Sequence, residues 1–165
     1  MQTTQLKSQT RQQFILIPQQ LWHSQANREY QHTLDRLKQR GVMVYDQRLS
    51  HVLNQLKPHT YQYRPEASHW DWQINALISS QLNAHGFAGG KVLLHTGIYW
   101  GLNLTEDELA FVIAHEMAHA VREHSRERWT TELLLGPLAR LKNNGHSTSW
   151  IIEREADLLG LEILE

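Results

Sequence analysis

The chain reads as a single α+β domain in which a small, mainly antiparallel sheet packs on helices. Three patterns carry that expectation. Apolar residues recur at helical spacing in 19–40, 46–57 and 105–120. Residues 70–78 alternate instead, with Trp72, Ile74, Ala76 and Ile78 set against Asp71, Gln73 and Asn75, the period of a strand with one buried face. Two further short extended pieces, 82–87 and 91–95, flank the turn signal Gly89-Gly90. At 165 residues the chain is long enough for one domain with a real core and too short for two.

In order, residues 1–13 are rich in Gln and Thr and read as a flexible arm. Phe14 to Ile17 is expected to be a short strand ended by Pro18. Leu21, Trp22, Ala26, Tyr30, Leu34 and Leu37 predict an amphipathic helix from Gln19 to Arg40, closed by Gly41. A second helix is expected from Asp46 to Lys57, with Leu49, Val52, Leu53 and Leu56 inward and Pro58 as its stop. After the strands, Thr96 to Trp100 opens a short helical piece. Thr105-Glu106-Asp107-Glu108 then forms a capping box, and its three acids suit the positive end of a helix dipole. Residues 122–128 continue that helix as a polar end, and Gly136-Pro137 breaks a Leu-rich segment. Asn143 to His146 reads as a loop, and Ser147-Thr148-Ser149 supplies caps for a last helix from Trp150 to Leu164.

Composition narrows the classes of function. A net charge of −1 gives no overall electrostatic case for nucleic acid or an anionic membrane, and nucleic acid is not an expected partner. No apolar run approaches the ~18 residues of a transmembrane helix. Residues 14–17 are too short for the core of a signal peptide, which leaves a cytoplasmic protein or a targeting segment removed. Cysteine is absent, so a bound metal would have to be held by His and carboxylates.

The third helix contains His115-Glu-Met-Ala-His119, the pattern HExxH. On a helix the two histidines sit at i and i+4 on one face, where one zinc ion can accept both imidazoles. Glu116 projects beside them, placed to take a proton from the attacking water rather than to ligate. The competing reading is an amphipathic helix with two incidental histidines. In the last helix, Glu153 and Asp157 are one turn apart on a shared face, while Glu155 points elsewhere. Such a pair repels unless positive charge lies nearby, which zinc and its histidines would supply.

Taken together, HEMAH, the downstream Glu153-Arg-Glu-Ala-Asp157 and the preceding segment 83–110 resemble the gluzincin zinc metallopeptidases of peptidase family forty-eight. That group includes the CAAX prenyl endopeptidase, HtpX-type and Oma-type proteases and bacterial periplasmic or lipoprotein members. The resemblance runs from about Trp70 to Leu164 and implies a zincin-like metallopeptidase domain, with helices over 19–57 and a catalytic core over 70–165. Carried over by motif, His115, His119 and Glu153 would ligate Zn2+, with Glu116 as general base and acid. Asp157 would accept the free N–H of one histidine, and Asn83-Ala84-His85 would form an edge strand that pairs with an extended polypeptide substrate. The implied activity is zinc-dependent endoproteolysis, on unfolded or envelope proteins, in a periplasmic or outer-membrane-associated setting reached through a removed signal or lipoprotein segment.

Departures from the family pattern set the alternatives. Ala88 stands where members carry Pro, Ser149-Trp150 stands where they carry Ser-Arg, and the stretch between His119 and Glu153 is short. The chain also ends in mid-helix at Leu164-Glu165, so the core reads as truncated, without the downstream His/Arg region of the family. The alternative function is therefore a latent or non-proteolytic zinc-binding chaperone or assembly module. A zinc-free helical interaction domain is the third reading. Of the other histidines, His124 is expected in solvent off the metal face, His85 and His95 on strands, and His146 as a ligand only if the third ligand were a histidine.

Overall fold

The computed structural model describes residues 13–142 and 147–165, without the side chains of 135–142 and 147–149. The expected arm at 1–13 falls outside them except for Gln13, whose amide donates to the Arg122 carbonyl and to Glu127. The expected loop at 143–146, with His146, also lies outside. Helix α1 spans Gln19–Gln39, strand β1 Met43–Val44, helix α2 Gln47–Thr60, and strands β2, β3 and β4 Gln73–Leu77, Ala84–Phe87 and Lys91–His95. Helix α3 spans Glu106–Val121, α4 His124–Lys142 and α5 Ser147–Leu164.

The α+β class holds, but the sheet is mixed rather than mainly antiparallel. Its order is β1-β2-β4-β3, and β4 runs parallel to β2, with Gln73 opposite Lys91 and Leu77 opposite His95. The cause is the β3–β4 hairpin. Gly89 and Gly90 turn it at φ +78° and +84°, a region open to glycine at little cost, and β4 folds back into the space between β2 and β3. All five residues of β4 are buried because helices cover both faces of the sheet.

Residues on one face of the sheet, Val44, Ile74, Ala76, Val92 and Leu94, meet Leu49, Val52, Leu53, Leu109, Ile113 and Met117 of α2 and α3, and α5 adds Ala156, Leu159 and Ile163. The opposite face, with Leu93, Leu77 and Phe87, packs on Tyr30, Leu34 and Leu37 of α1. The Tyr30 hydroxyl donates to the Val92 carbonyl and accepts from Asn75, so the one polar atom of that contact is satisfied. Alternation in β2 is as expected for Ile74 and Ala76, whereas Ile78 lies past the strand end and is exposed.

Several boundaries differ from expectation. Phe14 to Ile17 is not a strand, and its backbone is bonded by side chains of α4 rather than by a neighbouring strand. Arg126 Nε donates to the Ile17 carbonyl at 2.6 Å, and Leu16 N–H donates to the Thr130 hydroxyl. Helix α2 runs through Pro58 to Thr60, since a proline in the last turn forfeits only one backbone bond. The capping box at Thr105 and Glu108 is formed, and a π-helical turn at Gly97–Gly101 precedes it. Helix α3 does not continue to Arg128. It stops at Val121, Glu123 adopts φ +53°, and α4 starts afresh at His124, running through Gly136-Pro137 without a break.

Left-handed backbone at a glutamate is unfavourable, by roughly 1 kcal/mol, and side-chain bonds hold it there. The buried Glu123 carboxylate takes His23 Nε2 at 3.1 Å from α1, Arg64 Nη1 at 3.6 Å from the loop after α2, and Arg126 Nη1 at 2.5 Å from α4. Burial works against its charge, and these three partners outweigh that, leaving its pKa below the ordinary range for Glu.

Candidate metal centre and cleft

Three ligand-capable atoms converge at the junction of α3 and α5. His115 Nε2 and His119 Nε2 lie 3.0 Å apart, and each is 3.4 Å from Glu153 Oε2. A tetrahedral ion with bonds of ~2.0–2.1 Å separates its ligand atoms by about 3.3–3.4 Å, so the three atoms fit one zinc-sized ion with little adjustment. His115, His119 and Glu153 form the metal-capable group found among the described residues.

The backbone explains the convergence. Glu153, Asp157 and Gly160 share one face of α5, while Ile152, Ala156, Leu159 and Ile163 form its buried stripe. A Cβ at Gly160 would stand 3.2 Å from both the Cα and the N of His115, so glycine there lets α5 approach the HExxH turn closely. That approach brings Asp157 Oδ1 to 2.9 Å from His115 Nδ1. If His115 ligates through Nε2, its Nδ1–H donates to Asp157, and the ring orientation is set.

Glu116 faces the other way, towards the sheet edge. The Gly86 N–H of β3 donates to its carboxylate, and a Cβ at Gly86 would sit 2.9 Å from the Glu116 carbonyl oxygen and 3.1 Å from Oε2. Burial pushes the Glu116 pKa up, against the nearby His115 and the Gly86 bond, which favours a carboxylate able to hold a proton. His119 is pushed down to about 3, first by burial and then by the neighbouring His124 and His115. Its imidazole is therefore neutral near pH 7, with a lone pair free for a metal.

These groups open into a cleft of about 560 Å³ between β3 and α3, with Ser125 and Arg128 of α4 at one end. Asn83, Ala84 and His85 all line it, on or next to the edge strand β3. Register separates their side chains. Ala84 and Gly86 lie opposite Leu94 and Val92 on the α3 face, while His85 lies opposite Leu93 on the α1 face and its ring meets that of His95 at 5.5 Å.

One expectation is overturned. His124 is not in solvent: only 2% of it is exposed, and its Nδ1 lies 2.9 Å from His119 Nδ1. A continuous helix would carry residue 124 about 140° around from His119. The break at Arg122-Glu123 swings it back beneath the metal face. Glu155 does point away from Glu153, as expected, but into a buried contact in which Oε2 meets His124 Nε2 at 3.3 Å and Oε1 accepts from Arg122 Nε at 2.6 Å. Burial opposes its charge, yet His124 and Arg122 hold its pKa at about 2. No glycine, proline or cap residue marks residues 121–124, so the sequence carried no signal of the break.

The sequence model of peptidase family M48 matches residues 45–145, from the end of β1 through α4 and including HExxH. The chain belongs to peptidase family M48. Similar M48 proteins include "Metalloendopeptidase OMA1, mitochondrial" of Bos taurus, 38% identical over 66 residues, which are 39% of this chain and 12% of that protein. The "Beta-barrel assembly-enhancing protease" of Yersinia pestis is 31% identical over 83 residues, 50% of this chain and 17% of the relative. "Mitochondrial metalloendopeptidase OMA1" of Schizosaccharomyces pombe is 40% identical over 57 residues, 34% of this chain and 17% of the relative. The matched segments thus span less than a fifth of these relatives. The M48 assignment agrees with a metallopeptidase role. No helix among the described residues is long and apolar enough to cross a membrane.

Proposed function

We propose that this chain is a zinc-dependent metalloendopeptidase domain in which His115, His119 and Glu153 hold Zn2+, Glu116 is the general base and acid, and Asp157 orients His115. The observation that carries the reading is the meeting of the three ligand atoms within 4.8 Å of one another, beside a buried carboxylate and beneath a sheet edge. Zinc at that position would activate water and polarise the scissile carbonyl.

The remaining steps belong to the protein. An extended polypeptide lies along β3 at Asn83, Ala84 and His85, where the outer edge of the strand can take main-chain hydrogen bonds. Glu116 accepts the proton of the attacking water and returns it to the leaving amine, and burial suits it to both roles. The alternative of a latent assembly module has no comparable support, because a purely structural site has no use for a buried base beside it. Envelope or unfolded proteins as substrates, and a periplasmic or outer-membrane-associated setting, are inferred from the likeness to a bacterial relative named for β-barrel assembly.

The test is cleavage of an unfolded model protein by wild type and Glu116→Gln, with zinc measured on the same samples. Equal zinc, near one per chain, with a rate loss of at least ~100-fold in the variant is expected. Cleavage by both at similar rates would remove Glu116 as base. Zinc in both without cleavage by wild type would reject the peptidase reading for this chain.

A further inference from the structure

We propose that His124 is a positioning residue for the metal centre, fixing the tautomer and orientation of His119 as the middle link of a buried chain, His119–His124–Glu155–Arg122. The inference rests on His119 being a ligand and adds a support that HExxH does not specify. If His119 ligates through Nε2, its proton sits on Nδ1. The 2.9 Å contact between the two Nδ1 atoms then allows one arrangement, in which His119 Nδ1–H donates and His124 Nδ1 accepts. His124 must carry its own proton on Nε2, which lies 3.3 Å from Glu155 Oε2 and donates to it. Glu155 Oε1 accepts from Arg122, whose Nε is 2.6 Å away. Each donor meets an acceptor along the whole chain, without conflict.

The two ligand histidines are therefore held differently. His115 leans directly on Asp157, a carboxylate with 56% of its side chain exposed. His119 leans on a carboxylate through a second imidazole, with His124 and Glu155 buried to 2% and 8% exposure. Water cannot easily replace those bonds, and a histidine without its acceptor at that depth would be left with a stranded N–H. The device also explains the backbone. The left-handed turn at Glu123, held by His23 and by the cations of Arg64 and Arg126, brings His124 beneath His119.

Two measurements test this. In zinc-loaded wild type, where Nε2 of both His115 and His119 is committed to the ion, long-range proton–nitrogen NMR on labelled histidines should find His119 protonated on Nδ1 and His124 on Nε2. The reverse tautomers would overturn the proposal, whatever any variant does. Zinc affinity by chelator competition and the cobalt absorption spectrum are then compared for wild type, His124→Phe and His124→Asn, with folding checked by circular dichroism. In His124→Asn a side-chain oxygen can occupy the position of Nδ1. The Phe variant should bind zinc about 10–100-fold more weakly with an altered cobalt spectrum, and Asn should recover most of the loss. A folded Phe variant with wild-type affinity and spectrum would reduce His124 to packing and sink the idea. If wild type itself takes up no zinc, the metal reading fails and the positioning role falls with it, whereas zinc uptake with the reverse tautomers sinks the positioning role alone.

Discussion

Replacing Gly86 by alanine probes the contact on which the cleft depends, the edge strand lying against the HExxH helix. The added Cβ would stand 2.9 Å from the Glu116 carbonyl oxygen and 3.1 Å from Oε2. Restoring an ordinary separation of ~3.5 Å requires the two elements to part by about 0.6 Å. Helix α3 cannot yield, because Ile113, Ala114, Met117 and Ala118 are fully buried along it, so β3 must move. Overpacking of this kind costs about 1–3 kcal/mol, or a fall in Tm of roughly 2–12 °C for a chain of this size. The shift also lengthens the Gly86 N–H bond to Glu116, so cleavage should fall by more than the loss of folded protein explains. Urea unfolding followed by circular dichroism gives the stability, and the same preparations give the cleavage rate. Gly101→Ala is the control, since a Cβ there meets nothing within 4 Å. Wild-type stability and rate in Gly86→Ala would refute the claim that β3 is pressed against Glu116.

Glu123→Gln should cost about 3–5 kcal/mol, because it leaves Arg64 and Arg126 without their buried partner, and urea titration would show it. The pKa of Glu123 is lowered on folding, so its contribution is complete above the ordinary Glu value of 4.5 and fades as pH falls below it. The variant should therefore lose less further stability than wild type on acidification below pH 4.5, and parallel acid limbs would contradict the assignment. Removing metal with a chelator should lower Tm, and added zinc should restore it in wild type. In a protein carrying both His115→Ala and His119→Ala, Tm should not respond to either treatment. A shift in that variant equal to wild type's would place the metal elsewhere.

Much of the candidate metal site was legible in the sequence because its residues sit on helices at whole-turn spacings. HExxH puts His115 and His119 on one face, and Glu153 and Asp157 repeat the same interval, whatever packs around them. Capping at Thr105 and the periodic stripes of α1, α2 and α3 are equally local, and they too are seen in the structure, save that Leu21 at the start of α1 is exposed. What depended on distant partners could not be read. The parallel placement of β4 follows from the β3–β4 hairpin inserting beside β2, and its full burial from cover on both faces of the sheet, neither of which the residues Lys91–His95 report by themselves. The break at Glu123 follows from a carboxylate clamped by His23, Arg64 and Arg126, residues supplied by α1, the loop after α2 and α4. His124 was misplaced for that reason. Local sequence determined which side chains share a helical face. Tertiary packing decided where one helix ended and the next began, because the bonds that stabilise an unfavourable φ come from segments far apart in the chain.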